Sequence, residues 1–322
     1  MARKVLIYHT KIPENASPDD KDVLDEAKFA FGILKSMGYE VVQMPFDYKN
    51  KKEIKKIKPS FIFNLVEAID GKDSLAWLAP ANFEGLGIPY TGCTKKAFLD
   101  TGSKVNVKEI LKKEGILTPY WITLNDLQRE NIPKKRFLIK SRVDHASKNL
   151  EATLFEDKEV IKDALRFKGN NFFAEEYIDG REFNISIIGP VKAGRVLPPA
   201  EIIFKDWSSD ELKIVGYKAK WDETSPEYKN TMRTFDFPDS DKPLLEKLEQ
   251  ISKRCWDIFD LRGYARVDFR VDKDNNPYVL EINANPCISR DAGFIAAAHK
   301  AGMTDEQIIK NIIKDSCGEK FV

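Results

Sequence analysis

The sequence predicts an N-terminal α/β domain with a parallel sheet, followed by α+β structure. Short apolar strands alternate with amphipathic helices over the first 65 residues, which is typical of a parallel sheet covered by helices. From Ser103 onward helices mix with long polar loops, and an apolar ribbon runs from Gly263 to Asn283. A chain of 322 residues is long enough for two or three domains of this kind.

The N-terminal elements follow from hydrophobic spacing. Apolar residues at helical intervals predict a helix from Asp22 to Met37, and Gly38 gives a stop signal. The Lys-rich run from Lys49 to Lys58 is interpreted as the solvated face of a short helix. The run from Leu86 to Gly92 leads into a linker expected near residue 100. The predicted strands are Lys4 to Tyr8, Glu40 to Met44 and Phe61 to Leu65.

The second part of the chain contains one long segment without a regular pattern. This segment, Lys205 to Pro238, is expected to be an irregular loop, and its two tryptophans, Trp207 and Trp221, indicate that it packs against something. A polar loop is expected from Ser141 to Asn149. The other predicted elements are helices from Val105 to Lys113, Pro243 to Phe259 and about Thr304 to Lys314, and strands from Arg136 to Lys140, Phe172 to Ile178 and Arg181 to Ile188.

The ribbon near the C-terminus is predicted to be a hairpin with the turn Asp-Lys-Asp-Asn-Asn-Pro, centred between residues 274 and 275. Side chains alternate faces along a strand. Arg266 and Asp268 therefore share one face of the first strand, and Glu281 and Asn283 share one face of the second. With this turn, Asp268 lies across from Glu281 and Arg266 lies across from Asn283.

Two carboxylates, an amide oxygen and a guanidinium thus converge on one face of the hairpin. Carboxylates that face each other across a ladder are destabilising unless something neutralises them. A hard divalent cation such as Mg²⁺, which takes oxygen ligands, would do so. The alternative is a hairpin with a solvated polar face, as in many half-exposed sheets. The pattern alone does not decide between them.

Composition argues against several classes of function. The net charge of +1 gives no bulk attraction to nucleic acid. Four widely spaced cysteines without a C-x-x-C motif and only three histidines argue against zinc, and free thiols fit a reducing cytosol. No window approaches the roughly 20 apolar residues of a membrane span, and the N-terminus resembles a first strand rather than a signal peptide. We expect a soluble cytoplasmic protein that binds neither nucleic acid nor membrane.

Several motifs occur in one order along nearly the whole chain. The most specific are Gly263-Tyr-Ala-Arg-Val-Asp268 and Leu280-Glu-Ile-Asn-Ala-Asn-Pro286; the others are Phe63-Asn64, Gly87-Ile-Pro-Tyr-Thr-Gly92, Glu182-Phe183 and Ala219-Lys220. In these motifs the chain resembles the ATP-grasp superfamily and, within it, the D-alanine–D-alanine ligases. The resemblance implies an N-terminal parallel-sheet substrate domain (residues 1–100) and two ATP-grasp lobes that clamp ATP (101–178 and 179–322), the second with the metal site.

The resemblance implies an ATP site built from both lobes. Lys104 and Lys140 look like the two lysines that hold the α- and β-phosphates. Glu182 would bind the ribose hydroxyls, and Lys220 would lie on a mobile loop that closes over the γ-phosphate and excludes water. Residues 175–178 would form the hinge that reads adenine. The further ATP-binding positions that the resemblance implies are Ser147, Glu175, Glu176, Tyr177, Ile178 and Leu280.

The resemblance also implies a metal site and a catalytic arginine. Asp268, Glu281 and Asn283 would hold two Mg²⁺ ions, for which Mn²⁺ may substitute, with Glu281 bridging them and offsetting charge on the β- and γ-phosphates. Arg266, together with Lys220, would stabilise the acyl phosphate and the tetrahedral intermediate.

Departures from the family pattern cluster at the amino-acid pockets. The run Asp144 to Ser147 replaces a glycine-containing phosphate loop, so that His145 makes a backbone contact there doubtful or replaces it with a side-chain donor. Cys287 stands where the family has glycine, and Ala292 stands at the position of a substrate-binding serine. The substrate-recognition candidates are Glu67, Arg290 and Asp291.

The predicted reaction is ATP-dependent peptide-bond formation between a carboxylate and an amine, most simply two D-alanines. A ligase for another amino acid or a peptide is the close alternative. A nucleotide-binding regulatory protein without turnover is the alternative from a different class. A homodimer is implied by the family only.

Overall fold

The computed structural model describes residues 3–13, 17–127, 132–144, 153–208 and 212–322, with the side chains of residues 18–20 and 51 left aside. His145 and Ser147 lie outside these ranges, as does the predicted polar loop beyond residue 144. The described chain combines helices with one parallel and two antiparallel sheets. Within these ranges no helix is both long enough and apolar enough to cross a bilayer.

The first sheet is parallel, as predicted, with the strand order β2-β1-β3. Its strands are β1 (Lys4–His9), β2 (Glu40–Pro45) and β3 (Phe61–Leu65), and the helices around it are α1 (Pro18–Ser36), α2 (Lys51–Ile57) and α3 (Leu78–Leu86). Helix α1 begins at Pro18 rather than at Asp22. The chain then turns at Gly38, whose φ of +87° suits a residue without a side chain.

Two helices stand where a linker was expected near residue 100. They are α4 (Lys95–Thr101) and α5 (Lys104–Lys113), and only Gly102 and Ser103 separate them. Thr94 accepts a hydrogen bond from the amide of Ala97, and Ser103 accepts one from the amide of Asn106, so each helix has a side-chain N-cap. The chain therefore passes into the second part of the molecule through capped helices.

The central sheet is antiparallel, with the order β4-β6-β5. It comprises β4 (Trp121–Thr123), β5 (Phe137–Ser141) and β6 (Phe172–Glu176). Helix α6 (Lys158–Lys168) buries Ile161 and Leu165 in the same apolar cluster as Phe137 and Ile139. This sheet positions Lys140 and Glu175 on neighbouring strands.

The C-terminal sheet has the order β10-β9-β7-β11-β12, with β8 on the side of β7. Its strands are β7 (Arg181–Gly189), β8 (Arg195–Val196), β9 (Ala200–Phe204), β10 (Thr231–Thr234), β11 (Gly263–Val271) and β12 (Pro277–Asn283). Strand β11 lies between β7 and β12 and is buried except at Arg266. Asp268 is only 6% exposed, whereas Arg266, Glu281 and Asn283 on the same face are half-buried, so the polar face is only partly solvated.

The segment from Lys205 to Pro238 is more regular than predicted. It contains α7 (Tyr217–Trp221), α8 (Pro226–Lys229) and strand β10. Ser225 caps α8 by accepting a hydrogen bond from the amide of Tyr228 at 3.0 Å. Strand β10 exists because it pairs with β9, which is a long-range contact without a local sequence signal.

The hairpin pairs its polar residues as predicted, although its turn is displaced. Arg266 lies opposite Asn283, and Asp268 lies opposite Glu281. Nearer the turn, the ladder is centred on residue 274 instead of between residues 274 and 275, because Val271 pairs with Pro277. The pairing shifts by one residue after Asp268, and this β-bulge restores the predicted register at the polar pairs.

The helices at the end of the chain complete the core of the first sheet. Helices α10 (Gly293–Lys300) and α11 (Asp305–Cys317) belong to one apolar cluster with β1 and β3, while α9 (Lys242–Ile258) packs in the cluster of the C-terminal sheet. Val5 and Phe63 share the first cluster with Ile308 and Ile312. The ring of Phe321 also lies 5.9 Å from that of Phe61. The predicted first domain, residues 1–100, therefore shares its apolar core with helices α10 and α11 from the end of the chain.

Candidate active site

A cavity of about 610 Å³ brings together residues of the central and C-terminal sheets and residues that follow β1 and β3 of the first sheet. We call it the reaction cavity. The predicted site residues that line it are Lys104, Lys140, Glu175, Glu182, Lys220, Arg266, Asp268, Leu280, Glu281, Asn283, Glu67 and Asp291. The predicted residues Glu176, Tyr177, Ile178 and Arg290 are not among the lining residues. Arg290 instead lines a second cavity of about 730 Å³, between α1 and α7–α8, which we call the outer cavity.

The side chain of Glu175 is buried between two lysines. Its carboxylate bonds Lys140 on the neighbouring strand and lies 2.6 Å from Nζ of Lys108, which is completely buried on α5. Burial alone would raise the pKa of Glu175, but the two lysines outweigh it and hold this pKa below its ordinary value. Glu175 therefore fixes Lys140 in place, and Lys108 is a site residue that the sequence analysis missed.

Lys104 stands at the first position of α5 and points toward the hairpin. Its Nζ donates to the backbone carbonyl of Asp144 at 2.6 Å and lies 3.4 Å from Oε2 of Glu281. With Lys140 and Lys220 it places three ammonium groups along one side of the reaction cavity. Such a set of cations could hold the phosphates of a nucleotide.

Arg266, which is half-buried, and the buried Asp268 form a bidentate ion pair on β11. Arg266 donates from Nε and Nη2 to the two carboxylate oxygens of Asp268 at 2.7 and 2.8 Å. Asn184 on β7 donates to the same carboxylate at 2.8 Å. Burial disfavours the charge of Arg266, but Asp268 outweighs this effect and raises the pKa of the guanidinium above its ordinary value.

The oxygen atoms beside this pair fit the ligand preferences of Mg²⁺. Asp268 and Glu281 face each other across the ladder, and the amide oxygen of Asn283 accepts a hydrogen bond from the amide of Asn285 at 3.0 Å. Two carboxylates and an amide oxygen suit a hard cation. Because Arg266 already occupies both oxygens of Asp268, a metal ion would have to share this carboxylate with it.

The hinge region is held by Arg270, which the sequence analysis also missed. This buried arginine donates to the carbonyl of Ile178 at 3.0 Å and lies 3.3 Å from Oε2 of Glu182. Its guanidinium also lies over the ring of Tyr177, 5.4 Å from the centroid. Burial raises the pKa of Glu182, and Arg270 counteracts part of this rise. Arg270 shares the face of Arg266 and Asp268, and this alternation was the available sequence signal.

Lys220 lies on α7, in the segment predicted to be a mobile loop. Burial lowers the pKa of its ammonium, although the carboxylate of Glu281 acts in the opposite direction. The next residue, Trp221, lines both the reaction cavity and the outer cavity. Helix α7 therefore separates the two cavities, and its tryptophan supplies the packing that the sequence indicated.

A further arginine, Arg233 on β10, reaches the reaction cavity and was not predicted. Its Nη1 donates to the backbone carbonyl of Asp291 at 3.5 Å. A Cβ atom added to Gly293, the first residue of α10, would lie 3.4 Å from Nη2 of Arg233. Burial and the charge of Arg266 lower the pKa of this guanidinium. Arg233 and Arg266 thus offer two guanidinium groups to an anion in the cavity.

Acidic groups collect near the part of the reaction cavity that Asp22 and Glu67 line. Asp22 and Glu26 on α1 and the thiol of Cys287 place one oxygen or sulfur atom each within 4.8 Å of one another. Cys287 donates to Oδ2 of Asp22 at 3.0 Å. Glu67, just beyond the carboxyl end of β3, acts electrostatically on the same groups. Of these residues, the sequence analysis singled out only Glu67 and Cys287.

Comparison with known proteins assigns the class and then the family. The fold matches solved ligases, among them D-alanine–D-alanine ligase from Bacillus anthracis complexed with ATP, with a TM-score of 0.74, 22% identity and coverage of 98% of this chain and 97% of that chain. A similar match, with a TM-score of 0.76, 14% identity and 98% coverage of both chains, is D-alanyl-alanine synthetase A from Vibrio cholerae.

The family follows from two sequence comparisons. The family model described as D-ala D-ala ligase C-terminus matches residues 151–314, about half of the chain. D-alanine–D-alanine ligase from Aquifex aeolicus is 29% identical over 295 residues, covering 90% of this chain and 94% of the relative. The chain therefore belongs to the D-alanine–D-alanine ligase family, whose members are ATP-dependent ligases.

Proposed function

We propose that this protein uses ATP to join the carboxylate of one amino acid to the amine of another through an acyl phosphate. The observation that carries the proposal is the convergence of Lys104, Lys140, Lys220 and Arg266 on the facing carboxylates of β11 and β12. Phosphoryl transfer asks little covalent chemistry of a protein, so positioning and charge neutralisation dominate catalysis. This cavity is equipped for both.

In the first step, a carboxylate oxygen of the first substrate attacks the γ-phosphorus, and ADP leaves. We assign Lys104 and Lys140 to the α- and β-phosphates and Lys220 to the γ-phosphate. Glu182 is assigned to the ribose hydroxyls, and the adenine is assigned to the hinge at residues 175–178. Because the side chain of Glu175 is turned toward Lys108 and Lys140, we expect any adenine contact at this residue to be made by its backbone.

In the second step, the amine of the second substrate attacks the acyl carbon, loses a proton and displaces phosphate. We assign Arg266 to the oxygen that gains negative charge in the tetrahedral intermediate. Arg233, close to the N-terminus of α10, is assigned to the carboxylate of an amino-acid substrate, which a guanidinium binds well. Arg233 would then bind the substrate in place of the family's serine, at whose position this chain has Ala292.

Asp268, Glu281 and Asn283 are assigned to Mg²⁺, with Mn²⁺ as a substitute. When bound, these ions would neutralise charge on the β- and γ-phosphates. The protein would contribute the spacing of the ligands, because β11 and β12 hold the two carboxylates opposite each other. Asn184 and Arg266 orient the carboxylate of Asp268 before any metal binds.

The simplest substrates are two molecules of D-alanine. A different amino acid or a peptide remains the alternative, because Cys287 and Ala292 depart from the family pattern within the reaction cavity. We expect the enzyme to act in the cytosol, since all four cysteines are free, and we expect a homodimer on the family resemblance alone.

The test is a screen of D- and L-amino acids and dipeptides for ATP-dependent phosphate release, with the peptide product identified by mass spectrometry. We expect at least one pair of substrates to yield equal amounts of phosphate and peptide. If ATP binds tightly and no amino acid or dipeptide stimulates turnover, the protein is a nucleotide-binding regulator and the proposal is wrong.

Glu281→Gln is the matched variant for the metal assignment. It removes one charge from the ligand set while keeping a similar size, so we expect phosphate release to fall at least about a hundredfold. The unfolding transition in urea should change little, because Glu281 is partly exposed. Phosphate release at the wild-type rate by this variant would contradict the assignment.

A further inference from the structure

The lysines and arginines of the reaction cavity are confined to one part of its lining, where carboxylates such as Asp268 and Glu281 accompany them. Its lysines and arginines, Lys104, Lys140, Lys220, Arg233 and Arg266, lie along the part formed by α5, β5, α7, β10 and β11. The part formed by α1 and the end of β3 carries Asp22 and Glu67 and, near them, the thiol of Cys287. Nucleotide phosphates account for the positive part, but ATP does not account for the acidic one.

The most unusual member of the acidic part is Glu26. It lies on α1 one turn after Asp22, and only 1% of its surface is exposed. Neither carboxylate oxygen accepts a well-formed hydrogen bond among the described residues, and the nearest donors are the thiol of Cys287 and the backbone of Ile288. A buried carboxylate without a partner is costly. Glu26 nevertheless points toward Asp22 and Cys287, both of which line the reaction cavity.

The charged groups of the described chain that act most strongly on Glu26 are acidic rather than basic. The charged groups that act most strongly on it are Glu67 and Asp22, and those that act on Cys287 are Glu26, Asp22 and Glu67. Burial, reinforced by these carboxylates, raises the pKa of Glu26 well above its ordinary value. A bound positive charge would relieve all of these groups together.

We propose that Asp22, Glu26 and Glu67 form a cation subsite that selects an amino-acid substrate with a positively charged side chain. This inference rests on the proposed ligase function, because it concerns which amino acid enters that cavity. A substrate such as alanine brings a single ammonium group, which balances one carboxylate. A diamino acid brings a second cation and can balance two.

A metal ion is the competing occupant, since two carboxylates and a sulfur atom are possible ligands. The structure favours an organic cation for two reasons. Burial and the neighbouring carboxylates raise the pKa of Cys287, which favours the thiol 3.0 Å from Oδ2 of Asp22, whereas a metal would require the thiolate. Asp22 and Cys287 also line a cavity with the volume of a small-molecule site, in direct continuity with the predicted phosphate ligands.

The experiment compares cationic amino acids with neutral ones of matched length, using the full-length protein. The pairs are diaminobutyrate with norvaline and ornithine with norleucine, each as D- and L-isomers. Binding is measured by calorimetry with a non-hydrolysable ATP analogue and Mg²⁺, and turnover by phosphate release. We expect at least tenfold tighter binding, and a KM at least tenfold lower, for the cationic member of a pair.

Glu26→Gln and Asp22→Asn should each reduce this preference at least tenfold by raising KM for the cationic substrate. The kcat, and the KM for the neutral substrate, should change much less. A general loss of structure would instead impair turnover of both substrates. Two variants are used so that one that folds poorly does not decide the outcome. Asp25→Asn is the matched control, because Asp25 is exposed on the same helix and lines only the outer cavity.

Equal or tighter binding of the neutral amino acids would overturn the inference. If the neutral amino acids were also turned over, the ligase function would still be supported. Preferential binding of a cationic amino acid without phosphate release would support the subsite while contradicting the ligase function. If the purified protein held stoichiometric zinc that Glu26→Gln lost, and showed no preference for cationic amino acids, the cluster would be a metal site and the inference would be wrong.

Discussion

Glu175 illustrates how the side chain of one residue can have a role in addition to the one that its motif implies. From the family pattern it was expected at the adenine-binding hinge. In the structure its side chain joins Lys140, which lines the reaction cavity, to the fully buried Lys108. Buried ion pairs contribute little net stability, but removing one partner leaves a buried charge uncompensated.

We therefore expect Glu175→Gln to lower the free energy of unfolding by about 3 kcal/mol and to raise the KM for ATP about tenfold. Urea unfolding and ATP-dependent phosphate release measure the two effects. Glu176→Gln is the control, because its partner Lys135 is 42% exposed and the glutamine oxygen can still accept the bond from the amide of Tyr120, so it should cost less than about 1 kcal/mol. Similar unfolding curves for both variants would refute the role given to Glu175.

Glu26 gives a prediction about pH. Its folded-state pKa is raised, so the folded protein retains a proton that the unfolded chain loses near pH 4.5. The stability contributed by this protonation is complete below pH 4.5 and is lost as the pH rises through the raised pKa. Glu26→Gln cannot titrate. Without substrate, it should therefore be more stable than the wild type by at least about 1 kcal/mol near neutral pH.

Urea unfolding between pH 5 and pH 8 measures this difference. The advantage of Glu26→Gln over the wild type should grow as the pH rises, because Glu67, Asp22 and Cys287 face the ionising carboxyl. Asp25→Asn, on the exposed side of the same helix, should show no comparable trend. A constant difference across the pH range would be incompatible with a buried, protonated Glu26.

The sequence contained signals for three of the residues that were missed. Glu26 interrupts the apolar stripe of α1 next to Ala27, and Lys108 interrupts that of α5 between Val105 and Leu111, so the burial of both could have been read from helical spacing. Arg270 alternates with Val271 on a recognised strand. The partner of Lys108 and the position of Arg233 had no such signal. Their environments depend on contacts with β6 and with the residues before α10, which are distant in sequence.

At the scale of elements, the polar pairs of the hairpin were predictable, but the turn position from which they were predicted was not correct. Alternation along β11 and β12 correctly places Asp268 opposite Glu281. The turn is centred half a residue earlier than predicted, and the bulge after Asp268 compensates for this displacement. Bulges depend on how neighbouring strands fit together, so local sequence signals do not reveal them.

Helix α7 is the element whose function is most accessible to experiment. Trp221 separates the reaction cavity from the outer cavity, so we expect Trp221→Ala to admit water to the acyl phosphate. The ratio of phosphate released to peptide formed should rise from about one to at least about two. Phosphate and peptide measured in the same reaction give this ratio.

Trp207→Ala is the matched control for that variant. Trp207 packs on Phe204, with ring centroids 5.1 Å apart, and does not line either cavity. It should lose stability without changing the ratio of products. An unchanged ratio for Trp221→Ala would show that α7 does not shield the intermediate.

For the whole molecule, the N-terminal sheet and the C-terminal helices share one apolar core. Ile312 on α11 is completely buried in this core. We expect Ile312→Ala to lower the free energy of unfolding by about 2–5 kcal/mol and to accelerate hydrogen exchange in β1 and β3. Urea unfolding and exchange mass spectrometry would measure these effects.

Ile203→Ala provides the same substitution at a position that is 37% exposed, on β9. It should cost less than about 1 kcal/mol and leave exchange in the N-terminal sheet unchanged. If Ile312→Ala affected only exchange within the C-terminal sheet, the parts of the chain would fold independently and the shared core would be unimportant.

The overall architecture was largely predictable because its layers follow from hydrophobic periodicity and from motif order. The parallel sheet, the hairpin and helices α5, α9 and α11 all have strong local patterns. The packing of α11 in the core of the N-terminal sheet was not predictable in this way. The apolar face of α11 is visible in the sequence, but its partner could equally be any sheet of the molecule.

The position of α11 has a consequence for synthesis of the protein on the ribosome. Strands β1 and β3 are translated well before the isoleucines of α11 that share their core. Until α11 has left the ribosome, the part of the core that it covers must remain open to water or to a chaperone. A ribosome stalled before α11 would therefore hold a chain that contains most of the predicted phosphate-binding residues but lacks the helix that completes the apolar core of the first sheet.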